Sequence, residues 1–262
     1  MMAKLALRPI HYASVSGGKD SLYMLKVIAD NPEKYPLDMI VTFDLEIEWP
    51  FTERSKAAIQ AIADKLQVPF QRIKPKHTWA EQRDKWGFPT RQGRWCNGSY
   101  KLECKQQLEK WIKDQKCRPV AYIGFCADES KRFKYRVGEW NPESAQDVCY
   151  PLAEEGIEES LILSWAQTEA VGIFHEWYWL FKRQGCMMCP LLSMKELAYL
   201  KLKEPGAYSQ YKKGAEEMEV KTGKPYFHKF FHEIESVLDK KYVQLIESDM
   251  LNYSRYIALI NE

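Results

Sequence analysis

The stretch "YASVSGGKDSLYMLKV", residues 12–27, decides the fold class of this chain. An apolar, β-rich run leads into two glycines, and a helical pattern begins directly after them. Gly17 and Gly18 allow the main chain to approach a ligand closely. The first N–H groups of a helix lack intrahelical acceptors and lie at the positive end of the helix dipole. The turn is therefore suited to an anion, and phosphate is the first candidate.

The side chains of this turn add charge and hydrogen-bonding groups. Lys19 supplies an ammonium group, and Ser16 and Ser21 supply hydroxyls. Asp20 is favourable beside a phosphate only if a helix N-terminus or a cation such as Mg²⁺ compensates its charge. The spacing is neither that of a Walker loop nor that of the dinucleotide-binding fingerprint. A solvated strand-to-helix turn with glycine and serine caps is the alternative.

Strand-like and helix-like patterns alternate through the first half of the chain, and this predicts an α/β fold with a Rossmann-like parallel sheet flanked by helices. The β-rich runs lie at 10–15, 38–45, 69–75 and 119–126. The helical patterns between them lie at 21–29, at 52–66 with Thr52 as N-cap, and at 99–113. Beyond residue 150 the pattern is mostly helical, with candidates near 158–171, 173–183, 193–203, 206–221 and 228–247. We expect an α/β domain over 1–150 and a helical C-terminal region over 151–262.

The composition bears on the partners and the compartment of the protein, but it does not identify a function. Lys and Arg total 38 against 36 Asp and Glu, so the net charge of +2 gives no global reason for nucleic-acid or membrane binding. The N-terminus lacks a leader pattern and no stretch is long enough to cross a membrane, so we expect a cytoplasmic protein. An odd count of seven cysteines favours metal binding, catalysis or burial over a disulfide framework.

Polar side chains follow two of the predicted strands, at the edge where parallel sheets bind ligands. Asp44 closes the second strand and could orient a ribose or a metal, or cap a turn. The stretch "YIGFCADESKR" (122–132) places Asp128, Glu129 and Arg132 after the fourth strand. A salt-bridged turn would show the same pattern.

A basic cluster lies between the third and fourth predicted strands. Arg91, Arg94 and Lys101 surround Trp95, and a guanidinium group suits a sulfate or a terminal phosphate. The alternative is a solvated basic face. The segment "RDKWGFPTRQGRW" (83–95) could also stack nucleic-acid bases and contact their phosphates.

The string "SGGKDS" after a strand resembles the PP-loop of the ATP pyrophosphatase, or adenine nucleotide alpha hydrolase, superfamily. Further stretches resemble the PAPS reductase branch, in an uncharacterised bacterial and phage subgroup. They are "TFDLEIEWPFT" (42–52), "GRWCNGSYK" (93–101), "YIGFCADESKR" (122–132), "YPL" (150–152) and "GCMMCPL" (185–191). The resemblance covers roughly residues 10–215, and it implies an HUP-type fold whose first 150 residues bind an adenine nucleotide: ATP, PAPS or APS, with Mg²⁺.

The same resemblance implies a set of site residues. It implies catalytic roles for Lys19, Asp20 and Arg94. The implied cofactor-binding residues are Ser16, Gly17, Gly18, Lys19, Asp20, Ser21, Asp44, Arg94, Lys101, Gly124, Asp128, Glu129 and Arg132.

The cysteines suggest a metal centre. Cys186 and Cys189 form a C-x-x-C pair, whose spacing lets two thiolates reach one metal. Adenylylsulfate reductases in this superfamily hold a 4Fe-4S cluster through a cysteine pair and a distant C-x-x-C, which implies Cys96, 90 residues upstream, as a third ligand. Asn97 stands where the second member of the pair is expected. Zinc is the alternative, because thiolates bind both metals. The fourth ligand would be Cys104 or Cys149, or one iron would keep an open site. Our default expectation for Cys104, Cys117, Cys126 and Cys149 is burial.

The leading functional hypothesis is a PAPS reductase-like enzyme that cleaves ATP or handles a sulfonucleotide in sulfur transfer, with a sulfur donor or a reductant protein as partner. True PAPS or adenylylsulfate reduction is one alternative. It lacks support from the C-terminal cysteine that such reductases carry, since no cysteine follows Cys189. A nucleic-acid modification subunit or a nucleotide-binding module without turnover is another. Residues 210–262 contain no motif that indicates a function.

Overall fold

The structure, a computed structural model, describes residues 7–133, 137–138, 147–227 and 229–260. The chain forms two compact units that interleave along the sequence. Unit 1 comprises Met1–Leu45, Pro50–Lys76 and Lys101–Phe174, and unit 2 comprises Glu46–Trp49, His77–Tyr100 and His175–Glu262. These units differ in extent from the domains 1–150 and 151–262 that we expect from the change of pattern near residue 150, and a functional boundary there stays a prediction.

The strands are β1 (Pro9–Ser14), β2 (Met39–Phe43), β3 (Phe70–Ile73), β4 (Arg118–Tyr122) and β5 (Val148–Cys149). The helices are α1 (Lys19–Asp30), α2 (Thr52–Leu66), α3 (Trp79–Trp86), α4 (Leu102–Asp114), α5 (Pro151–Glu154), α6 (Glu159–Gln167), α7 (Val171–Phe174), α8 (Trp177–Leu180), α9 (Met194–Lys203), α10 (Pro205–Thr222), α11 (Phe231–Val237) and α12 (Gln244–Ile260). Wider π-helical turns cover Cys96–Lys101 and Leu238–Val243, and a 3₁₀ turn covers Ser130–Arg132.

Within the described residues, unit 1 contains a five-stranded, all-parallel sheet in the order β3-β2-β1-β4-β5. Tyr12 of β1 lies opposite Met39 on one side and Ala121 on the other. The predicted α/β fold with a Rossmann-like parallel sheet is confirmed. β5 was not predicted, because two residues, Val148 and Cys149, are too few to show a strand period.

The helices of unit 1 cover the sheet on both faces. Leu108 and Ile112 of α4 pack in one buried cluster with Tyr12, Val41 and Ala121 of the sheet. The crossover from β3 to β4, which contains α4, runs in one direction along the sheet, and the crossovers from β1 to β2 and from β2 to β3 run in the other. Because such crossovers are right-handed, α1 and α2 lie on the face opposite α4. The order in which strands are added to the sheet reverses between β1 and β4: β2 and β3 lie on one side of β1, and β4 and β5 lie on the other. The loops that follow β1 and β4 therefore meet at the topological switch point of the sheet.

Unit 2 is mostly helical and has an aromatic core. The rings of Trp49 and Trp177 lie 4.8 Å apart, and the ring of Tyr199 packs edge-on against both. Trp79 of α3 and Trp95 form a second aromatic pair, also at 4.8 Å. The predicted helical character of the C-terminal region is confirmed.

Several helix predictions need correction in detail. Thr52 is not an N-cap: it is the first residue of α2, follows Phe51, and has a buried side chain. The helix predicted at 173–183 is broken at His175, whose φ of +48° is incompatible with a continuous right-handed helix. The helix at 79–86 was not predicted, because its sequence has no regular apolar face.

Candidate functional site

The loop from Ser16 to Ser21, hereafter the glycine loop, joins β1 to α1 in unit 1. Gly17 has a φ of +78°, a conformation that favours glycine. A side chain would also be crowded there, because a Cβ atom on Gly17 would lie 3.1 Å from the Cβ of Ser55 and 3.3 Å from Cγ2 of Thr52. Gly18 is the N-cap of α1, without a side-chain cap. The loop therefore presents main-chain groups at the start of a twelve-residue helix, as anion binding requires.

The two serines of the glycine loop hold its shape. The Ser21 hydroxyl accepts a hydrogen bond from the Ser16 N–H at 3.2 Å and donates one to the carbonyl of Gly18 at 3.0 Å. The two hydroxyl oxygens lie 3.3 Å apart. Ser16 is exposed and Ser21 is buried. In this structure Ser21 stabilises the loop from within, and Ser16 is the serine that a ligand in solution can reach.

Lys19 is buried at the start of α1, with 1% of its surface exposed. Its ammonium nitrogen lies 2.6 Å from Oδ1 of Asp20 and 3.2 Å from Oε1 of Glu159. A buried ammonium group is tolerated because carboxylates balance its charge. Lys19 and Asp20 are both predicted catalytic residues, and in the structure their side chains form an ion pair.

Asp20 lies in an environment that disfavours its ionised form. Burial raises the pKa of Asp20; hydrogen bonding and charge from Lys19 oppose this, and the charges of Glu159 and Glu129 add to it. Cys126 lies next to it, with Sγ 3.8 Å from Oδ1 of Asp20. Burial, with added repulsion from Asp20 and Glu129, raises the pKa of Cys126 to about 12. This thiol is therefore protonated at neutral pH and is a poor nucleophile.

The loop after β4 packs directly on the glycine loop. A Cβ atom on Gly124 would lie 3.0 Å from the carbonyl oxygen of Asp20, so a side chain here would crowd the glycine loop. The carboxylate of Glu129 accepts a hydrogen bond from the N–H of Cys126 and pairs with Arg132 at 2.6 Å. The predicted residues on these two loops, Gly124 and Glu129 included, are thus brought together around the switch point.

Asp128 and Arg132 have partners that differ from the predicted ligand. Oδ1 of Asp128 accepts a hydrogen bond from the N–H of Glu159 at 3.3 Å. The guanidinium carbon of Arg132 lies 3.7 Å from the ring centre of Phe125. Asp128 positions the start of α6, and a nucleotide-binding role for either side chain stays a prediction.

Asp44 follows β2 and is the centre of an ion-pair cluster. Its Oδ1 lies 2.5 Å from Nζ of Lys56, and its Oδ2 accepts hydrogen bonds from Arg72 at 2.9 and 3.1 Å. Glu53 pairs with the same two cations. Although burial opposes it, hydrogen bonds from Arg72 and Lys56 lower the pKa of Asp44. The predicted contact of Asp44 with a ribose or a metal stays a prediction, because its carboxylate already has two cationic partners.

Unit 2 contains the three cysteines predicted as metal ligands, Cys96, Cys186 and Cys189, hereafter the thiol site. A hydrogen bond from Cys186 lowers the pKa of Cys189 to about 7; burial opposes this, and the charge of Arg94 supports it. Burial raises the pKa of Cys96, and the charge of Cys189 adds to that effect. Arg94, a predicted catalytic residue, is exposed and belongs to unit 2, as do the three cysteines.

The thiol site is not a formed metal centre. Across the residues that the structure describes, no group of three or more histidine, cysteine, aspartate or glutamate side chains is placed to hold a metal ion. Cys104, Cys126 and Cys149 are buried in unit 1, as their default assignment expects, whereas Cys117 near the end of α4 is only partly buried. Lys101 is exposed and also belongs to unit 1, so the basic cluster predicted with Arg94 is divided between the units. A cluster or a zinc ion at the three cysteines stays a prediction.

Sequence reasoning missed two groups of contacts at this edge of the sheet. Glu159 reaches Lys19 from a helix 140 residues later, and Lys56 with Arg72 encloses Asp44. The signal for Glu159 was weak: an acidic residue at the start of a predicted helix, which is common for dipole reasons alone. Nothing in the spacing of Lys56 and Arg72 indicates that they share a partner.

Fold and site together define an α/β protein with a glycine-rich loop at the switch point of a parallel sheet. No family model matches the chain. It is similar to an uncharacterised protein of Methanocaldococcus jannaschii, with 28% identity over 214 residues, or 73% of this chain. The chain spans less than half the length of that relative, 43%.

A solved structure is also similar in part. The U34-tRNA thiolase NcsA from Methanococcus maripaludis, solved with its 4Fe-4S cluster, aligns with a TM-score of 0.43 and 16% identity over 89% of this chain and 73% of its own. Within the described part of the chain, every helix is too short or too polar to cross a membrane.

Proposed function

We propose that this protein is an adenine-nucleotide enzyme of the PP-loop type, in the PAPS reductase-like branch, that acts in sulfur transfer. The observation that carries the proposal is the glycine loop itself. Gly17 in a left-handed conformation, a helix that begins at Lys19 and a buried ammonium group all lie at the switch point, where open parallel sheets bind their ligands. The quoted motifs and their order along the chain support the same family.

The proposed chemistry is cleavage of ATP between its α- and β-phosphates. An acceptor oxygen attacks the α-phosphorus, the bond to the bridging oxygen breaks, and pyrophosphate leaves with that electron pair. The acceptor is then adenylated and open to attack by a sulfur nucleophile from a donor protein. The main-chain N–H groups of the glycine loop and Lys19 would stabilise the charge that develops on the leaving pyrophosphate.

Mg²⁺ fits this site as an ion shared with the nucleotide. Asp20 is a carboxylate on the loop, held where burial disfavours its charge, and a cation would relieve that cost. Because Mg²⁺ is commonly bound by one or two carboxylates together with substrate phosphates, a protein cage of three ligands is not needed. When bound, Mg²⁺ would supply charge neutralisation of the phosphates.

The test is formation of pyrophosphate and an adenylated acceptor from ATP by the purified protein with Mg²⁺ and candidate acceptors, with AMP released once a sulfur donor is added. We expect Lys19→Ala to abolish pyrophosphate release and ATP binding. Lys26→Ala is the matched control, because Lys26 lies on the same helix in an exposed pair with Asp30. ATP binding that is equal in wild type and Lys19→Ala would refute the proposal.

A second candidate function, reduction of a sulfonucleotide, is favoured by the contact between the thiols of Cys186 and Cys189. In this reaction one thiolate attacks the sulfur of PAPS, the S–O bond to the nucleotide breaks, and PAP leaves. The second thiol then displaces sulfite from the S-sulfocysteine and forms a disulfide, which a reductant protein reduces. Sulfite release from PAPS in the presence of a dithiol tests it, and Cys189→Ser should stop release if this candidate is correct.

A further inference from the structure

Glu159 contacts the glycine loop although it belongs to none of the motifs. Its carboxylate accepts a hydrogen bond from Nζ of Lys19 at 3.2 Å, across 140 residues of chain. The side chain of Lys19 is 1% exposed, that of Glu159 is 30% exposed and that of Asp20 is 39% exposed. Both carboxylates are therefore more accessible than the ammonium group that they hold.

The position of Glu159 is fixed by the loop at the switch point. Its own N–H donates to Asp128, and two residues earlier the carbonyl of Ile157 accepts a hydrogen bond from the N–H of Ala127 at 2.8 Å. Two ring systems, those of Tyr23 in α1 and Trp165 in α6, meet edge-on at 5.2 Å and join the two helices. Glu159 is thus anchored both to the loop after β4 and to the helix that the glycine loop opens.

The charges at this point do not match a polyphosphate. Lys19 contributes one positive charge, while Asp20 and Glu159 contribute two negative charges when ionised, so the three groups together carry one negative charge. The nearby Glu129 is paired with Arg132. A phosphate that approaches Lys19 meets the carboxylate of Glu159 as a competitor for the same ammonium group.

We propose that Glu159 is a positioning residue that holds Lys19 in the nucleotide-free protein and must yield this ammonium group to the phosphates when a nucleotide binds. The inference rests on the proposed nucleotide-binding function and adds a competitor to it. Glu159 lowers the affinity for free polyphosphate anions and makes binding depend on a cation that offsets its charge. It thereby favours the Mg²⁺ complex of the nucleotide over the free nucleotide.

The experiment uses Glu159→Gln, which keeps the size of the side chain and an oxygen acceptor but removes the charge. We expect the variant to bind ATP without Mg²⁺ more tightly than wild type, by on the order of tenfold for one charge removed at this range in a partly buried site. The gain should fall through pyrophosphate to AMP and vanish for adenosine. A purely structural role for Glu159 would not produce this dependence on phosphate charge.

Glu158→Gln is the matched control. It makes the same change of charge one residue earlier, at an exposed position that precedes α6 and has no side-chain cap bond. Calorimetry on wild type and both variants separates the outcomes. Tighter binding in Glu159→Gln alone supports the inference. If wild type binds ATP and Glu159→Gln binds equally or more weakly, the inference is wrong and the proposed function stands. Failure of wild type to bind ATP would overturn both.

Discussion

The glycine loop of unit 1 and the thiol site of unit 2 were both predicted from short motifs, but they differ in how far their residues come together in the structure. The glycine loop is six consecutive residues, and its geometry follows from one left-handed glycine and one helix start. The thiol site needs Cys96 to join Cys186 and Cys189 from 90 residues away. Within the described ranges no three-ligand metal group is formed. The residues of a local motif come together when that short segment folds. Ligands from distant segments come together only if the whole chain between them also folds correctly.

The largest expected effect lies in the thiol site and concerns metal content. We expect anaerobically purified protein to contain iron and acid-labile sulfide, and Cys186→Ser and Cys189→Ser to lose nearly all of both, because a thiolate ligand has no substitute in a hydroxyl. Metal analysis and visible absorbance measure this. Cys104→Ala, a fully buried position in unit 1, should keep the metal.

The metal analysis also decides how the two sites compare. If the cysteine variants lose metal but bind ATP as wild type does, the glycine loop is complete without the thiol site. Stoichiometric zinc in a colourless protein would replace the cluster with a zinc ion. Protein that contains neither metal after anaerobic purification would remove the thiol site as a metal centre.

The next effect lies in the glycine loop. Gly17→Ala introduces a side chain at positive φ and within 3.1 Å of Ser55, so we expect a loss of about 1–3 kcal/mol in the free energy of unfolding and roughly a tenfold loss in ATP affinity. Gly223→Ala is the control, because Gly223 also has a positive φ of +66° but no atom within 4 Å of its Cβ position. Chemical denaturation and calorimetry measure both losses.

The two glycine variants separate backbone strain from site geometry. Gly223→Ala should lose stability through its φ alone and leave ATP binding unchanged. Equal ATP affinity in Gly17→Ala and wild type would show that the conformation of this loop is irrelevant to the ligand.

The smallest effect concerns the pH dependence of the cluster around Asp44. The folded protein lowers the pKa of Asp44 from 3.8, so this carboxylate stabilises the fold above its unfolded pKa and loses that contribution as the pH falls through the folded value. We expect Asp44→Asn to cost about 1 kcal/mol of unfolding free energy at pH 6 and less at pH 3. Denaturation curves at both pH values check the sign.

A surface pair supplies the control for this pH effect. Asp30 and Lys26 form an exposed i,i+4 pair, and such pairs contribute little. Asp30→Asn should therefore change stability only slightly at either pH. A cost for Asp44→Asn that grows on acidification would contradict the assigned shift.

Much of unit 1 could be predicted because its signals are local. The helix predicted at 52–66 is α2, although its N-cap is Phe51 rather than Thr52, and the four longer strands were found within a few residues. Apolar runs and glycines mark these elements directly. β5 was not predicted because two residues are too few to show a periodic pattern. α3 was not predicted because its sequence has no regular apolar face.

The interleaving of the units and the contacts of Lys19 could not be predicted. Residues 46–49 and 77–100 belong with the C-terminal helices through aromatic packing, such as Trp49 on Trp177, which leaves no periodic pattern. The pairing of Lys19 with Glu159 joins positions 140 residues apart. Such contacts follow from the topology of the sheet, which fixes where β4 and α6 run, and a single sequence does not record that geometry.

The proposed function depends on binding of the phosphates of an adenine nucleotide by the main chain of the glycine loop. Its most direct test is the set of amide resonances in protein labelled with ¹⁵N-glycine, assigned by glycine-to-alanine replacement and followed during titration with ATP and Mg²⁺. If the loop binds the phosphates, the signals of Gly17 and Gly18 shift strongly and saturate together, while the signal of Gly185 in unit 2 stays in place. Signals of Gly17 and Gly18 that do not move at saturating ATP would contradict it.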